Sequence, residues 1–381
     1  MNGWKTYKAE EFCLTVTDGT HDSPKPKTCG RYLITSKHLK PSGIDFSSAN
    51  KISEEDYNKI IQRSKVEQYD ILFSMIGTIG NIHRVTISSV DFAVKNMGIF
   101  KMGGDANRSL WMYYWLQSPE AKEYINSRVS GSTQGYLTLG NLREFPIRVP
   151  SRIEEQKKIT DILSAIDDKI EVNRRINDNL EQQAQALFKS WFVDFEPFKD
   201  GEFVESELGM IPEGWKVGAL GDLIEIKYGK DHKKLNDGDI PVYGSGGIMR
   251  YVDKSLFAGE SVLIPRKGTL NNVMYVNQDF WTVDTMFFSK MKMSNIAIFV
   301  YLFLSKKDLA SMNSGSAVPS MTVDILNKIS LVIPNEKTFE NFNNIVSTLF
   351  FQMSNNAKEI NHLITLRDTL LPKLMSEGFV F

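Results

Sequence analysis

An internal duplication is the feature that most constrains how this chain can fold. Four segments of the first half recur in the same order in the second half, at offsets that shrink smoothly from 211 to 184 residues. One match of this kind arises by chance, but four in order do not, so the sequence predicts two copies of one domain. The matched pairs are Gly3-Trp4-Lys5 with Gly214-Trp215-Lys216, 76–81 with 267–272, 111–116 with 299–304, and 131–150 with 315–334.

Each copy combines short strand-like runs with an apolar helical segment. The runs 71–73 and 261–264 are aliphatic or aromatic and are bounded by turn residues, which is typical of strands. The stretches near 111–117 and 296–305 are typical of short buried helices. The predicted fold class is therefore α+β, with two similar mixed α/β domains.

A long helix is predicted after each copy. From Phe342 to Leu374 the apolar-leaning positions step by four and three residues, interrupted by Asn356 and Arg367. A less strict stripe in the central segment comprises Ile159, Leu163, Ile166, Ile170, Ile176, Leu180, Leu187 and Trp191. About 40 helical residues extend about 60 Å, and neither stripe would stay dry alone. We therefore expect the two helices to form an antiparallel coiled coil that joins the domains with pseudo-two-fold symmetry.

Asparagines inside these stripes suggest a way to fix the register of the helices. In an antiparallel pair, Asn356 would lie roughly opposite Asn177, and a buried polar pair can fix the register of a coiled coil. The alternative is that these two asparagines, together with Asn173, face water or a partner protein.

The predicted organisation has five parts. They are a first domain at 1–150, a central long helix at 151–196, a linker at 197–213, a second domain at 214–334 and a C-terminal long helix at 335–377. The linker prediction rests on an acidic, aperiodic segment that contains Gly and Pro.

Composition argues against several classes of protein. No apolar run approaches the ~20 residues of a membrane-spanning helix, and Met1–Lys5 is not typical of a signal peptide. The two cysteines, Cys13 and Cys29, form no CxxC pair. We expect a cytoplasmic chain without a membrane partner. Its net charge of −1 argues weakly against tight binding to DNA by the chain alone, so local basic clusters or a cationic partner would have to supply the attraction.

Several motifs resemble those of the specificity subunits of type I restriction–modification systems, and the resemblance covers essentially the whole chain. They are Glu155-Gln156-Lys157-Lys158-Ile159 followed by Asp161-Ile162-Leu163, the run ALFKSWFVDFEP at 186–197, the segment Ile211-Pro212-Glu213-Gly214-Trp215, and the run LRDTLLPKLM at 366–375. The resemblance implies two target recognition domains, each of which reads one half of a split, asymmetric site in double-stranded DNA. It also implies that the helices space these domains and dock two methyltransferase (modification) subunits, and that restriction (translocase/endonuclease) subunits join afterwards. Such a chain needs no cofactor and carries no catalytic site.

Candidate DNA-binding residues in the first domain lie in three polar loops. Gly77 and Thr78 follow an apolar strand, where glycine allows the backbone to approach a phosphate, although the fold itself can demand such a turn. Gln134 has the side chain that pairs with adenine, or it is simply a polar loop residue. The full set is Thr20, His21, Lys25, Lys27, Arg31, Gly77, Thr78, Thr133, Gln134 and Tyr136.

The second domain contributes a basic cluster and the loops equivalent to those of the first. Its candidates are Lys230, His232, Lys233, Tyr243, Ser245, Arg266, Lys267, Thr269 and Ser316. The alternative for each is an ordinary solvated surface residue.

Two other classes of function remain open at this point. Asp222, Glu225 and Lys227 superficially resemble the metal site of a nuclease, so a stand-alone enzyme is one alternative. A scaffold whose domains bind protein instead of DNA is the other. The chain has no Walker-type phosphate loop, no methyltransferase motif of the Asn/Asp-Pro-Pro-aromatic type and no histidine pattern for a metal.

Overall fold

Two structural units share the residues that this computed structural model describes, 3–40, 43–131, 135–312 and 320–376. One unit comprises Met1–Val172 with Glu359–Phe381, and the other comprises Asn173–Lys358. Each unit holds one α/β domain together with part of both long helices. None of the helices in these described ranges combines the length and the apolarity that a bilayer span requires.

The first domain begins and ends with strands that lie side by side. Its strands are β1 (Trp4–Lys8), β2 (Thr15–Asp18), β3 (Arg31–Ile34), β4 (Leu39–Lys40), β5 (Gly43–Ile44), β6 (Lys51–Ile52), β7 (Ile71–Ser74), β8 (Ile82–Arg84), β9 (Phe92–Val94), β10 (Met97–Lys101) and β11 (Pro146–Pro150). Its helices are α1 (Ala9–Phe12), α2 (Glu54–Ser64), α3 (Ala106–Trp115), α4 (Pro119–Arg128) and α5 (Leu139–Arg143). The long helix α6 (Ile153–Phe192) follows.

The second domain has the same plan after a short hairpin. The hairpin strands are β12 (Phe203–Ser206) and β13 (Gly209–Pro212). The domain strands are β14 (Lys216–Ala219), β15 (Ile224–Tyr228), β16 (Ile240–Gly244), β17 (Gly247–Val252), β18 (Glu260–Pro265), β19 (Met274–Asn277), β20 (Trp281–Thr282), β21 (Met286–Met291) and β22 (Ser330–Ile333). The helices are α7 (Leu220–Leu223), α8 (Ala297–Ser305), α9 (Val323–Asn327) and the long α10 (Glu336–Leu374).

The larger sheets have the same topology in both domains, and the first domain adds the two-stranded sheet β4-β5. The four-stranded sheets have the orders β2-β10-β7-β8 and β15-β21-β18-β19, and the three-stranded sheets have the orders β6-β3-β9 and β17-β16-β20. In both domains the first strand pairs with the last, as β1 with β11 and β14 with β22. The aligned Thr138 and Thr322 are the N-caps of α5 and α9, where each side chain accepts a backbone N–H. The internal repeat and the α+β class are therefore confirmed.

The aromatic stretch of the first domain forms a core helix, as predicted. Trp111 and Trp115 of α3 are almost fully buried, and their indole N–H groups donate to the carbonyls of Arg148 (3.0 Å) and Pro146 (2.8 Å) in β11. A buried indole needs such an acceptor, so these bonds fix α3 against the last strand of the domain.

The long helices pair in antiparallel directions within the first unit. Ile159 and Leu163 of α6 share a hydrophobic core with Leu371 and Leu374 of α10. Arg367, the charged residue of the predicted stripe, donates to the Asp167 carboxylate at 2.9 Å.

Asp167 also joins the helix pair of the first unit to its domain. The hydroxyl of Tyr114, in α3, donates to the same carboxylate at 2.8 Å. The charge of Arg367 is thus matched by a carboxylate that the domain also binds.

The second unit contains the predicted asparagine pair. The Asn356 amide donates to Oδ1 of Asn177 at 2.8 Å, and the Asn177 amide donates to the Met353 carbonyl at 3.2 Å. Farther along, the rings of Phe192 and Phe342 are 4.7 Å apart. Residue numbers therefore rise along one helix as they fall along the other, and the antiparallel pairing is confirmed.

The predicted stripe of α6 is wrong at Ile176. Ile176 is 41% exposed, whereas Asn173 is only 1% exposed. Steps of three and four residues that continue unbroken from Ile170 place Asn173 and Asn177 on the buried side. Ile176 was chosen for its hydrophobicity, but the helix geometry decides which face is covered.

The acidic segment expected to be an aperiodic linker contains the β12–β13 hairpin. Phe195 and Phe198 precede the hairpin, and their rings lie 5.6 and 4.9 Å from that of Trp215. Ile211 of β13 is buried in the core of the second unit. These aromatic contacts tie the segment to the domain that it precedes.

We expect the asparagine pair to be energetically coupled. Asn356→Leu alone should lower the free energy of unfolding by about 1–3 kcal/mol, because it leaves Oδ1 of the half-buried Asn177 without its donor. Replacing both residues by leucine should raise the stability above that of the wild type, since a polar residue in a coiled-coil core reduces stability. Denaturant unfolding of the single and double variants measures this coupling.

Asn361→Leu is the matched control, because Asn361 is an exposed asparagine of the same helix. Its effect should stay within about 0.5 kcal/mol. Additive effects of the two single leucine variants would contradict the coupling.

Candidate nucleic-acid interface

In the first domain, two loops that are distant in sequence meet at one edge of the four-stranded sheet. β2 and β7 both run antiparallel to β10, and Gly98 of β10 pairs with Asp18 on one side and Phe73 on the other. The loops after β2 and β7 therefore leave the sheet together. Tyr136 joins them through a β-bridge to Ile76. We call residues 18–21, 74–81, 94–97 and Tyr136 the first edge.

The second domain repeats this arrangement. Phe287 of β21 pairs with Tyr228 of β15 and with Ile264 of β18. Lys267 forms a β-bridge with Ser320, as Ile76 does with Tyr136. We call residues 227–233, 244–249, 265–269 and 282–285 the second edge. Five of the ten candidate residues of the first domain and seven of the nine of the second thus lie within these edges, although the sequence places them in separate loops.

Glycines allow the close backbone packing at both edges. A Cβ atom on Gly19 would lie 2.2 Å from the Val94 carbonyl oxygen, and one on Gly229 would lie 2.0 Å from that of Val283. Gly77 and Gly268 have φ angles of +79° and +84°, in the region that favours glycine. The fold therefore requires these glycines whatever else their loops bind.

A small polar cluster shapes the first edge. The exposed His21 ring lies between Asn96 Oδ1 at 2.8 Å and Asp18 Oδ2 at 2.9 Å. The Asp18 side chain is only 6% exposed and also pairs with the Arg63 guanidinium. Asp18 therefore holds two potentially cationic groups, one of which comes from the end of α2.

The other cations predicted in the first domain differ in availability. Lys25 and Lys27 are exposed. Arg31 pairs with Glu54 at 2.9 Å and with Asp91 at 3.6 Å. Two carboxylates already hold its guanidinium, so less of its charge is available to a ligand than that of the exposed lysines.

The second edge is more basic and carries an exposed aromatic ring. Lys230, Lys233, Lys267 and Thr269 are exposed. The Arg266 guanidinium lies over the ring of Tyr228, 5.5 Å from its centroid, and Tyr228 is 55% exposed.

A groove of about 720 Å³ opens at this edge. Ile248 and Met249 are about half exposed there, so the groove offers apolar contact next to cations. Its lining comprises Asp231, His232, Lys233, Gly244, Ser245, Gly246, Gly247, Ile248, Met249, Val283, Asp284 and Thr285.

Tyr243 belongs to the core rather than to this surface. It is 8% exposed, and its hydroxyl accepts a hydrogen bond from Gln278 at 3.0 Å. Burial raises the pKa of the Tyr243 phenol. Ser245, two residues later, is partly exposed, and its carbonyl accepts a bond from Asn272 at 2.8 Å.

Comparison with known proteins identifies the family. A family model described as "Type I restriction modification DNA specificity domain" matches residues 2–182 and 212–364. The chain belongs to this family. It is 32% identical over 295 residues to the Type I restriction enzyme MjaIX specificity subunit of Methanocaldococcus jannaschii, covering 70% of this chain and 68% of the relative.

Other relatives agree with this assignment. The Type I restriction enzyme HindI specificity subunit of Haemophilus influenzae is 25% identical over 403 residues, covering 82% of this chain and 87% of the relative. The crystal structure of the type I S subunit from M. genitalium has a TM-score of 0.54 at 19% identity, covering 97% of this chain and 96% of that one. At that identity the likeness shows a shared fold.

The residues suspected of nuclease chemistry have local partners in this specificity subunit. Asp222 accepts the backbone N–H of Ala219 at 2.8 Å and so caps α7. Glu225 bonds Lys227 at 2.5 Å, which lowers the pKa of the Glu225 carboxyl. Within the described ranges, no group of three or more His, Cys, Asp or Glu residues is placed to hold a metal ion.

Three residues that shape the edges were not predicted as candidates from the sequence. Asp18, Arg63 and Tyr228 were not among the candidate residues, although Asp18 and Tyr228 each lie inside a stretch that the sequence marks as cationic. Thr133, Gln134 and Ser316 were candidates, but they lie outside the described residues.

We expect Gly229→Ala to damage the second edge. The new Cβ would collide with rigid backbone, so the variant should lose about 1–3 kcal/mol of stability. Thermal unfolding of the purified variant measures this loss. Gly246→Ala is the control, because a Cβ there meets nothing within 4 Å. Equal behaviour of the two variants would show that the packing constraint is not real.

Proposed function

We propose that this type I specificity subunit reads a bipartite, asymmetric site in double-stranded DNA, one half with the first edge and the other with the second. The observation that carries the proposal is that the two domains share one fold but carry different side chains at equivalent positions of their edges. The strand-end position that pairs with β10 or β21 is Asp18 in one domain and Tyr228 in the other. Equivalent loops with different side chains would read different half-sites.

The exposed cations of the edges, together with Lys25 and Lys27 just beyond the first edge, would bind phosphates, and polar side chains would read bases. Phosphate contacts dominate affinity, while groove contacts supply specificity. Arg31 and Tyr243 are left out of the proposed surface for the reasons given above. The proposed contact residues are Thr20, His21, Lys25, Lys27, Gly77, Thr78, Tyr136, Lys230, His232, Lys233, Ser245, Arg266, Lys267 and Thr269.

The long helices have apolar side chains that the chain itself does not cover. Val172 and Ile176 of α6 are 48% and 41% exposed, and Ile345 and Phe351 of α10 are 45% and 68% exposed. Val172 and Ile176 are one helical turn apart and therefore neighbours on α6, and adjacent exposed apolar side chains are a feature of protein-binding surfaces. We propose that these faces dock two methyltransferase subunits, to which restriction subunits are added, and that this chain supplies no catalytic group.

Methylation mapping tests the proposal. The full chain, expressed with the modification subunit of its system, should direct methylation to a split motif whose halves differ. A continuous motif, or methylation that does not depend on this chain, would contradict it. Metal-dependent DNA cleavage by the purified chain, abolished by Glu225→Ala, would support the enzyme alternative instead.

Removing lysines from the second edge should weaken DNA binding without changing the motif. If Lys230, Lys233 and Lys267 each contact one phosphate, replacing all three by alanine should make the log–log salt dependence shallower by about 2.7. Binding titrations of the complex at several salt concentrations measure this slope.

The matched control removes three lysines that are exposed elsewhere in the second unit. Its substitutions are at Lys216, Lys328 and Lys337. This variant should keep the wild-type slope. Equal slopes for the two triple variants would place the phosphate contacts away from the second edge.

A further inference from the structure

We infer that Arg63 and Arg266 each read a guanine, one in each half-site, and that Asp18 and Tyr228 position them. This inference rests on the proposed function and names the base-reading groups within it. Its basis is a shared geometry, because in each domain one arginine lies against the side chain of the same strand-end position.

At the first edge, the strand-end residue is a carboxylate. The Asp18 side chain is 6% exposed and pairs with Arg63, whose own side chain is 61% exposed. The guanidinium has five N–H donors, so a contact with Asp18 leaves donors for a ligand. Asp18 also binds His21, which in turn contacts Asn96. The carboxylate is thus fixed from several sides and orients Arg63.

At the second edge, the strand-end residue is an aromatic ring. Tyr228 packs edge-on against Phe287 with centroids 5.0 Å apart, and Arg266 lies over the ring of Tyr228. Nη1 of Arg266 donates to the Asp284 carbonyl at 3.3 Å. The ring and this carbonyl hold the guanidinium at the edge, and its other N–H donors remain for a ligand, since arginine has five.

The register shows that these positions are equivalent. Asp18 and Phe73 flank Gly98 just as Tyr228 and Ile264 flank Phe287. The two arginines nevertheless come from different places, since Arg63 ends α2 and Arg266 follows β18 directly. The duplicated sheet therefore presents an oriented guanidinium twice, by two different means.

Guanine is the base that suits a fixed arginine. Its O6 and N7 atoms form a pair of acceptors in the major groove that arginine binds in a bidentate manner. A guanidinium that is already oriented loses less freedom on binding than a mobile lysine ammonium. The exposed lysines of the second edge, as point charges, suit phosphates instead.

The experiment uses the full chain in complex with its modification subunit, and duplexes that carry the mapped motif. Each guanine of the motif is replaced, one at a time, by 7-deazaguanine, which lacks the N7 acceptor. For the wild type, one guanine in each half should be sensitive, with affinity falling roughly tenfold or more. Arg63→Lys should be insensitive at one of these guanines only, and Arg266→Lys at the other only.

Lysine is chosen because it keeps the charge and cannot form the bidentate contact. The matched control is Arg108→Lys. Arg108 also has a carboxylate partner, Asp105, and an aromatic neighbour, Phe12. It follows the opposite end of β10 and should keep both sensitivities.

Tyr228 is tested as a positioning residue by a pair of variants. Tyr228→Leu should reduce the sensitivity at the guanine of Arg266, and Tyr228→Phe should restore it, because phenylalanine keeps the ring face. A merely structural role would change thermal stability without moving this guanine-specific readout.

The outcomes separate the inference from the proposed function. A split motif whose guanines are all insensitive in the wild type, or lysine variants that keep both sensitivities, would overturn the guanine assignment while leaving the bipartite reader intact. If a variant fails to assemble, the wild-type duplex series by itself still overturns the guanine assignment when all guanines are insensitive. Absence of a split motif would instead remove the proposed function itself.

Discussion

Burial of the apolar stripes of the two long helices is the constraint on which the rest of the structure depends. In the first unit, Ile159 and Leu163 of α6 lie in the same hydrophobic core as Trp111 of the domain. In the second, Phe188 and Phe342 lie in the same core as the domain's buried helix α8. Because the helix pair and the domain share one core in each unit, the apolar side chains of one cannot be buried away from water without those of the other. In each unit, the domain and its part of the helix pair therefore fold as one cooperative unit.

Periodicity made the long-range plan of this fold predictable. The repeat motifs fixed two similar domains, and the heptad spacing fixed two long helices and placed Asn177 opposite Asn356. The prediction failed where tertiary packing, and not the hydrophobicity of a residue or the local pattern, decides the outcome. Ile176 looked like a core residue by hydrophobicity, but the helix turn exposes it. The segment of the β12–β13 hairpin has no periodic apolar pattern that would predict it. Contacts of Phe195 and Phe198 with Trp215, outside the hairpin, help to hold it in place.

The candidate interface was predictable as a set of loops but not as a surface. Equivalent loops such as those at Gly77 and Gly268 follow from the repeat alone. Which side chains meet there depends on strand register and on α2, which the sequence does not reveal, so the pairing of Arg63 with Asp18 was not predicted. Composition also cannot separate an exposed cation from one that is already paired with two carboxylates, as Arg31 is. Nor can it show that the Tyr243 side chain is buried in the core.

The pairing of first and last strands has an evolutionary consequence. β1 lies against β11, and β14 lies against β22, so the chain enters and leaves each domain at neighbouring points. Everything between those points can be exchanged as a cassette, provided that one two-stranded ribbon and the helix-facing core are matched. Recombination between related genes could then replace one domain at a time while the rest of the protein stays unchanged.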